Sequence, residues 1–298
     1  MKWFLSSLFV IAITGFTYAA PIQLHPDNPH YFTYKGQPTI LITSAEHYGA
    51  VVNLDFDFDA YLDTLASDGM NYTRIFTGAY FEKPGAFGIE KNTLAPAKGR
   101  VITPWARSEV SGAGDGGNLF DLETWNDAYF KRLHDFIAKA EERGILVEVT
   151  LFSSIYDDKN WNLIPFNPKN NINQTSNVHR KFYHTLKNGN ILKYQEALVQ
   201  KMVRELNQYD NIFFEIQNEP YADLKVIAHF LNPNDDQSLD YWKRRVDLAP
   251  QESLAWQEKM VAVISEEEKN LPKKHLIAQN YCNYLYPLKE VNSDVSIL

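Results

Sequence analysis

A chain of 298 residues that is 45% hydrophobic and 22% charged, with 14 Gly and 14 Pro, can bury one large core and is neither disordered nor fibrous. Its formal net charge of -8 argues against nucleic acid and anionic membrane surfaces as partners, because phosphate binding needs clustered Lys and Arg, whereas neutral sugars are compatible with it. The single cysteine, Cys282, can form no internal disulfide and stands in no metal-ligand spacing, so packing alone must hold the fold.

From the N-terminus, Lys2, the apolar run Trp3 to Ile13 and the ending Thr17-Tyr18-Ala19 have the pattern of a secretory signal peptide. The expected cut follows Ala19, since a cut after Ala20 would leave Pro21 beside the bond; this divides the chain into a leader, 1–19, and a domain, 20–298. The apolar run is too short for a span, so no stable membrane insertion is expected, and the localisation reads as secreted or periplasmic.

Helix, short turn and strand then recur. Thr39 to Thr43 reads as a first strand. Over 57–68, Phe58, Tyr61, Leu62 and Leu65 share a helical face, Gly69 stops the helix, and Asn71 to Thr77 reads as a strand. Thr124 to Arg143 repeats the plan with Trp125, Tyr129, Leu133, Phe136, Ile137 and Ala140, then Gly144, then an apolar strand from Ile145 to Phe152. A third helix over about 191–208 precedes a strand at Asn211 to Gln217, and a fourth over roughly 251–269 precedes Pro272 and a strand at His275 to Gln279. Residues 222–249 read as an insertion with a helix around Leu239 to Val246, and Val295 to Leu298 begins another strand.

Strands alternating with helices imply βαβ units and a parallel sheet. The long connections 78–120 and 153–189, with no Gly-rich phosphate loop after the first strand, favour a (β/α)8 TIM barrel over a doubly wound sheet. Five strands and the start of a sixth are counted, so the expectation is an α/β barrel that is incomplete, with five to six of eight units present.

The strongest chemical signal is Ile212-Phe213-Phe214-Glu215-Ile216-Gln217-Asn218-Glu219-Pro220, an apolar strand ending abruptly where Pro220 cannot continue the ladder. Strict alternation groups Glu215, Gln217 and Glu219 on one side, toward the barrel interior. A carboxyl at the mouth of an apolar barrel is partly desolvated, which favours the neutral form that a proton donor needs.

This strand end, with Asn71-Tyr72-Thr73-Arg74-Ile75 before it, resembles clan A glycoside hydrolases, most of all the cellulase-like family 5 and its relatives. The resemblance implies a glycosidase acting on a carbohydrate, with Glu219 as catalytic acid/base, Asn218 on the sugar 2-hydroxyl and Arg74 supporting the nucleophile. It departs at Thr150-Leu151-Phe152-Ser153, where family members often carry a His, and the family's later His-x-Tyr, nucleophilic Glu and Trp would follow Leu298. Glu215, four residues before Glu219, reads as an interior ion-pair residue.

His47 and Tyr48 should face the site after the first strand, with Glu46 a lesser candidate, and Tyr221 and Tyr281 join the substrate-binding set. Of Tyr80, Phe81, Trp105, Tyr156, Trp161 and Tyr221 on the long loops, some should stack on sugars, though packing is the commoner fate of each. His179 and His184 lack further ligands, so neither a metal nor an organic cofactor is implied. The competing reading is a secreted sugar-binding barrel or gene fragment without catalysis. Nothing in the sequence fixes an oligomeric state.

Overall fold

The computed structural model describes residues 20–43, 46–224, 226–230, 245–281 and 294–297. The expected leader at 1–19 and Cys282 lie outside the described residues.

The described chain opens with an antiparallel unit, β1 (Gln23–Leu24), β2 (Phe32–Tyr34) and β3 (Gln37–Thr39). Lys35 and Gly36 turn the second hairpin with φ of 49° and 73°, the paired left-handed geometry that suits a two-residue loop. The strand expected at Thr39 to Thr43 is therefore corrected: Thr39 closes β3, and 40–43 form no strand. Ile40 and Ile42 point to solvent, and the Asn71 side chain engages both backbones, donating to Ile40 O at 2.8 Å and accepting from Ile42 N at 2.7 Å.

Asp57 starts α1 (Phe58–Ser67) by accepting from Ala60 N at 3.0 Å. Gly69, at φ 73°, ends it, with Gly69 N bonded to Ala66 O and Met70 N to Leu65 O, the pair of crossed bonds that closes many helices. β4 (Tyr72–Phe76) follows.

The long connection after β4 was expected to be loop. Instead it holds an antiparallel hairpin, β5 (Trp105–Ser111) and β6 (Asn118–Trp125), pinned by stacking of Trp105 on Trp125 with centroids 6.4 Å apart. Because Trp125 belongs to that hairpin, the next helix, α2 (Asp127–Glu142), starts later than its sequence pattern. Gly144, at φ 71°, separates it from β7 (Leu146–Ser153). A single turn, α3 (Asp158–Trp161), precedes α4 (Ile191–Leu206) and β8 (Ile212–Asn218).

The helix expected around Leu239 to Val246 is also corrected at its described end: β9 (Val226–Phe230) pairs antiparallel with β10 (Arg245–Leu248), so Arg245 and Val246 are extended. α5 (Gln251–Glu268) and β11 (Ile277–Ala278) complete the elements, and Ile297 bridges Ala278 in parallel where a further strand was expected to begin.

β4, β7, β8 and β11 form one parallel sheet in chain order, with no reversal. Stepwise order with a helix between successive strands is the barrel pattern rather than the doubly wound one, and no closed barrel is formed by the described residues. The stripes of α1, α2, α4 and α5 bury Leu62, Phe136, Leu198 and Trp256 in one core with the sheet. No helix among the described residues is long and apolar enough to cross a membrane.

Candidate active site

β8 is buried along its apolar length, and its C-terminal end carries the chemistry. After Asn218 the backbone turns at Glu219, which adopts a left-handed conformation at φ 50° and ψ 54°, and Pro220 prevents any return to the ladder. For a residue with a Cβ this conformation costs on the order of 1–2 kcal/mol. Two bonds hold it in place: Ser154 Oγ donates to Glu219 O at 2.6 Å and Ala222 N donates to the same oxygen at 2.9 Å.

Beneath the turn lies a buried brace. Asp223 accepts from Ile155 N at 2.8 Å, from Gln217 Nε2 at 2.7 Å and faces His184 Nδ1 at 2.6 Å. Gln217 is thus committed to this brace, and the strict alternation expected of Glu215, Gln217 and Glu219 breaks down near the strand end. Arg74 instead gathers Glu215 and Asn218.

The turn presents Glu219 to a cavity of about 440 Å³ also lined by Glu46, Tyr48, Phe76, Tyr156 and Asn218. Tyr156 Oη donates to Glu219 Oε2 at 2.6 Å and accepts from Asn218 Nδ2 at 2.9 Å. Burial, and then the bond and charge of Glu219, raise the Tyr156 pKa, so its phenol stays a donor.

Asn218 Oδ1 accepts in turn from Arg74 Nη2 at 3.0 Å. Arg74 is the hub of the sheet interior. Its Nε donates to Thr150 Oγ1 and Glu215 Oε2, both at 2.9 Å, its Nη2 also pairs with Glu215, and its Nη1 reaches Glu46 at 3.1 Å. Register explains the cluster: Arg74 pairs across the sheet with Glu148, and Thr150 with Glu215. Burial works to lower the Arg74 pKa, but Glu215, Glu46 and Glu148 override it and leave the guanidinium pKa raised. Burial first, and then Glu215, push Glu148 up to about 7 against the pull of Arg74, while Tyr72 donates to it.

The structure thus brings Glu219, Asn218 and Tyr48 to one cavity and links Arg74 to it through Asn218 and Glu46. It does not bring His47 there. The His47 ring is buried, stacked on Phe56 at 3.5 Å with Nε2 at 2.8 Å from Thr93 Oγ1, and burial lowers its pKa to about 4. This neutral, packed imidazole corrects its expected substrate contact. Tyr221 lies outside the cavity lining, and Tyr281 lines a separate cavity of about 330 Å³ with Glu148 and Glu215. Of the loop aromatics, Tyr80 and Tyr156 reach the site, whereas Phe81 and Trp105 are buried in the core.

Among the lining residues that were not anticipated are Glu82, Lys83 and Phe87, all on the loop after β4. No spacing rule marks Glu82 and Lys83, because their placement depends on Tyr48, Tyr80 and Asp157 from other parts of the chain.

A family model described as cellulase (glycosyl hydrolase family 5) matches residues 34–277. Among solved structures, a candidate glycoside hydrolase from Bacteroides vulgatus ATCC 8482 is similar at TM-score 0.54 and 13% identity, over 88% of this chain and 38% of that one. A β-mannanase from the blue mussel Mytilus edulis is similar at TM-score 0.51 and 12% identity, over 88% of this chain and 63% of that one. The chain therefore spans less than two thirds of the length of either, and at these identities the likeness is one of fold. No curated protein matches the chain.

Proposed function

The chain belongs to the cellulase family, glycosyl hydrolase family 5, and on that footing we propose that it hydrolyses O-glycosidic bonds of a poly- or oligosaccharide with Glu219 as proton donor. The observation that carries this reading is the arrangement at the end of β8: a carboxyl in a left-handed turn at the cavity, hydrogen-bonded by Tyr156, next to an Asn218 held between Tyr156 and Arg74.

Glu219 gives its proton to the leaving oxygen and, in the second half of a retaining reaction, takes one from the attacking water. Tyr156 fixes the carboxyl by one of its oxygens and leaves the other, Oε1, to meet the glycosidic oxygen. Asn218, oriented from both ends, offers its amide to the sugar hydroxyl beside the reacting carbon. A retaining mechanism needs a second carboxyl about 5 Å from the first. We assign it to the family's strand-seven glutamate rather than to a described residue, because the cavity carboxyls are otherwise engaged: Glu46 with Arg74, and Glu82 with Tyr48 and Tyr80.

The test is turnover by the full-length protein on β-glycosides with good and poor leaving groups. Glu219→Ala should lose most activity on poor leaving groups and keep more on good ones, with azide restoring part of the latter. Normal turnover by Glu219→Ala on poor leaving groups removes the reading. Sugar binding without any turnover would favour the non-catalytic alternative. The proposed location is outside the cytoplasm, and sequencing of the mature N-terminus should give Ala20 as the first residue.

A further inference from the structure

Glu82 is 5% exposed, yet it lines the cavity. Tyr48 Oη donates to its Oε1 at 3.0 Å and Tyr80 Oη donates to the same atom at 2.8 Å. Both phenol pKa values are raised, by burial first and by Glu82 next, so both remain donors. Asn160 Nδ2 donates in turn to Tyr80 Oη at 3.1 Å and orients that donor. Oε2 receives no hydrogen bond from the described residues and is not sealed in the interior. A buried carboxyl aimed by two phenols, with one oxygen left for the cavity, is an acceptor waiting for a donor from a ligand.

Five residues on, Phe87 is 70% exposed and lines the same cavity. Its backbone is left-handed, φ 60° and ψ 8°, between Gly85 at φ 77° and Gly88 at φ 66°. The neighbouring Ala86 is buried and its carbonyl accepts from Asn92 Nδ2 at 3.1 Å, which anchors the loop and leaves the ring outward. A phenylalanine held in a costly conformation with its ring in water gains nothing for folding. Such a ring suits the apolar face of a pyranose.

We propose that the 82–88 loop forms a separate sugar-binding subsite of this cavity, in which Phe87 stacks on one pyranose and Glu82 Oε2 accepts from one of its hydroxyls. The ligand class is a neutral hexopyranose chain. Glu46 in this cavity is paired with Arg74 and Lys83 with Asp157, whereas Glu82 has no cation paired with it among the described residues. A sugar carboxylate would bring a second acceptor to Glu82 Oε2 with no donor or countercharge between them, so uronates are disfavoured. The inference rests on the glycosidase reading, because it takes the Glu219 cavity as the sugar site.

The test is calorimetric binding of cellopentaose, mannopentaose and C6-oxidised cellopentaose by the full-length protein, its Phe87→Ala and Glu82→Gln variants, and Glu219→Ala. The wild type should bind at least one neutral pentaose and bind the oxidised one at least tenfold more weakly. Phe87→Ala and Glu82→Gln should each weaken the neutral pentaose about tenfold, and Glu82→Gln should narrow the discrimination against the oxidised chain. Phe87→Ala removes an exposed ring, so it keeps the fold if Glu82→Gln does not. Unchanged affinity in Phe87→Ala, or no binding of either neutral pentaose by the wild type, overturns the subsite. Normal turnover by Glu219→Ala, with the affinity losses at Phe87 and Glu82 intact, would remove the hydrolase mechanism and leave the subsite standing.

Discussion

Replacing Arg74 by Met removes the cation from a cluster in which two of the carboxyls, Glu215 and Glu148, are largely buried. The side chains of Arg74, Glu215 and Glu148 are 13%, 7% and 12% exposed. Breaking a buried pair from one side costs about 3–5 kcal/mol, because the remaining charge is left uncompensated. The cost should depend on pH. Glu148 is raised from 4.5 to about 7, and a carboxyl raised on folding stabilises the fold below its unfolded pKa and loses that contribution as pH climbs through the folded value. At pH 5 Glu148 already holds its proton, so the variant loses mainly the partner of Glu215; at pH 8 both carboxyls are left without their cation. Urea unfolding of wild type and Arg74→Met should therefore give a loss of about 3–5 kcal/mol at pH 8 and a smaller loss at pH 5. Adding Glu215→Gln should recover about 1–3 kcal/mol at pH 8. Equal losses at the two pH values, or a loss under about 1 kcal/mol at pH 8, would refute the account of Arg74 as the charge that holds this sheet interior together.

Tyr156→Phe leaves the ring but removes a donor to Glu219 and an acceptor for Asn218; kcat/KM on an aryl β-glycoside should fall about 10- to 100-fold, with the melting temperature little changed. His47, depressed from 6.5 to about 4, stabilises the fold above pH 6.5 and loses that contribution as pH falls through 4; the stability of His47→Gln, followed by urea unfolding, should vary less over that window. In Gly114→Ala the new Cβ would stand 1.8 Å from Asn162 O, so the hairpin connection must move away from its neighbour, and thermal melting should report a loss of about 3 kcal/mol or more.

Much of the frame was legible because its signals are local. Gly69 and Gly144, each after an apolar stripe, mark helix ends by backbone chemistry that needs no partner elsewhere. The β8 end was legible for the same reason, since Pro220 stops a strand whatever surrounds it. Misreadings came where tertiary contacts decide. The apolar, mostly β-branched run at 39–43 looks like a strand, but Ile40 and Ile42 are exposed and Asn71 engages the backbone. His47 and Tyr48 are adjacent, yet one ring goes to Phe56 and the other to the cavity, a choice no spacing encodes. Glu82 gains its role from Tyr48, 34 residues earlier, and one-dimensional pattern cannot join them.

The left-handed backbone of Glu219 sets stability against chemistry. Glycine occupies that conformation freely, so Glu219→Gly should keep or raise the melting temperature while abolishing the proposed hydrolysis. A population bred only for survival at high temperature would drift toward losing this side chain. Its retention would then mark a lineage in which turnover, and not endurance, was being selected.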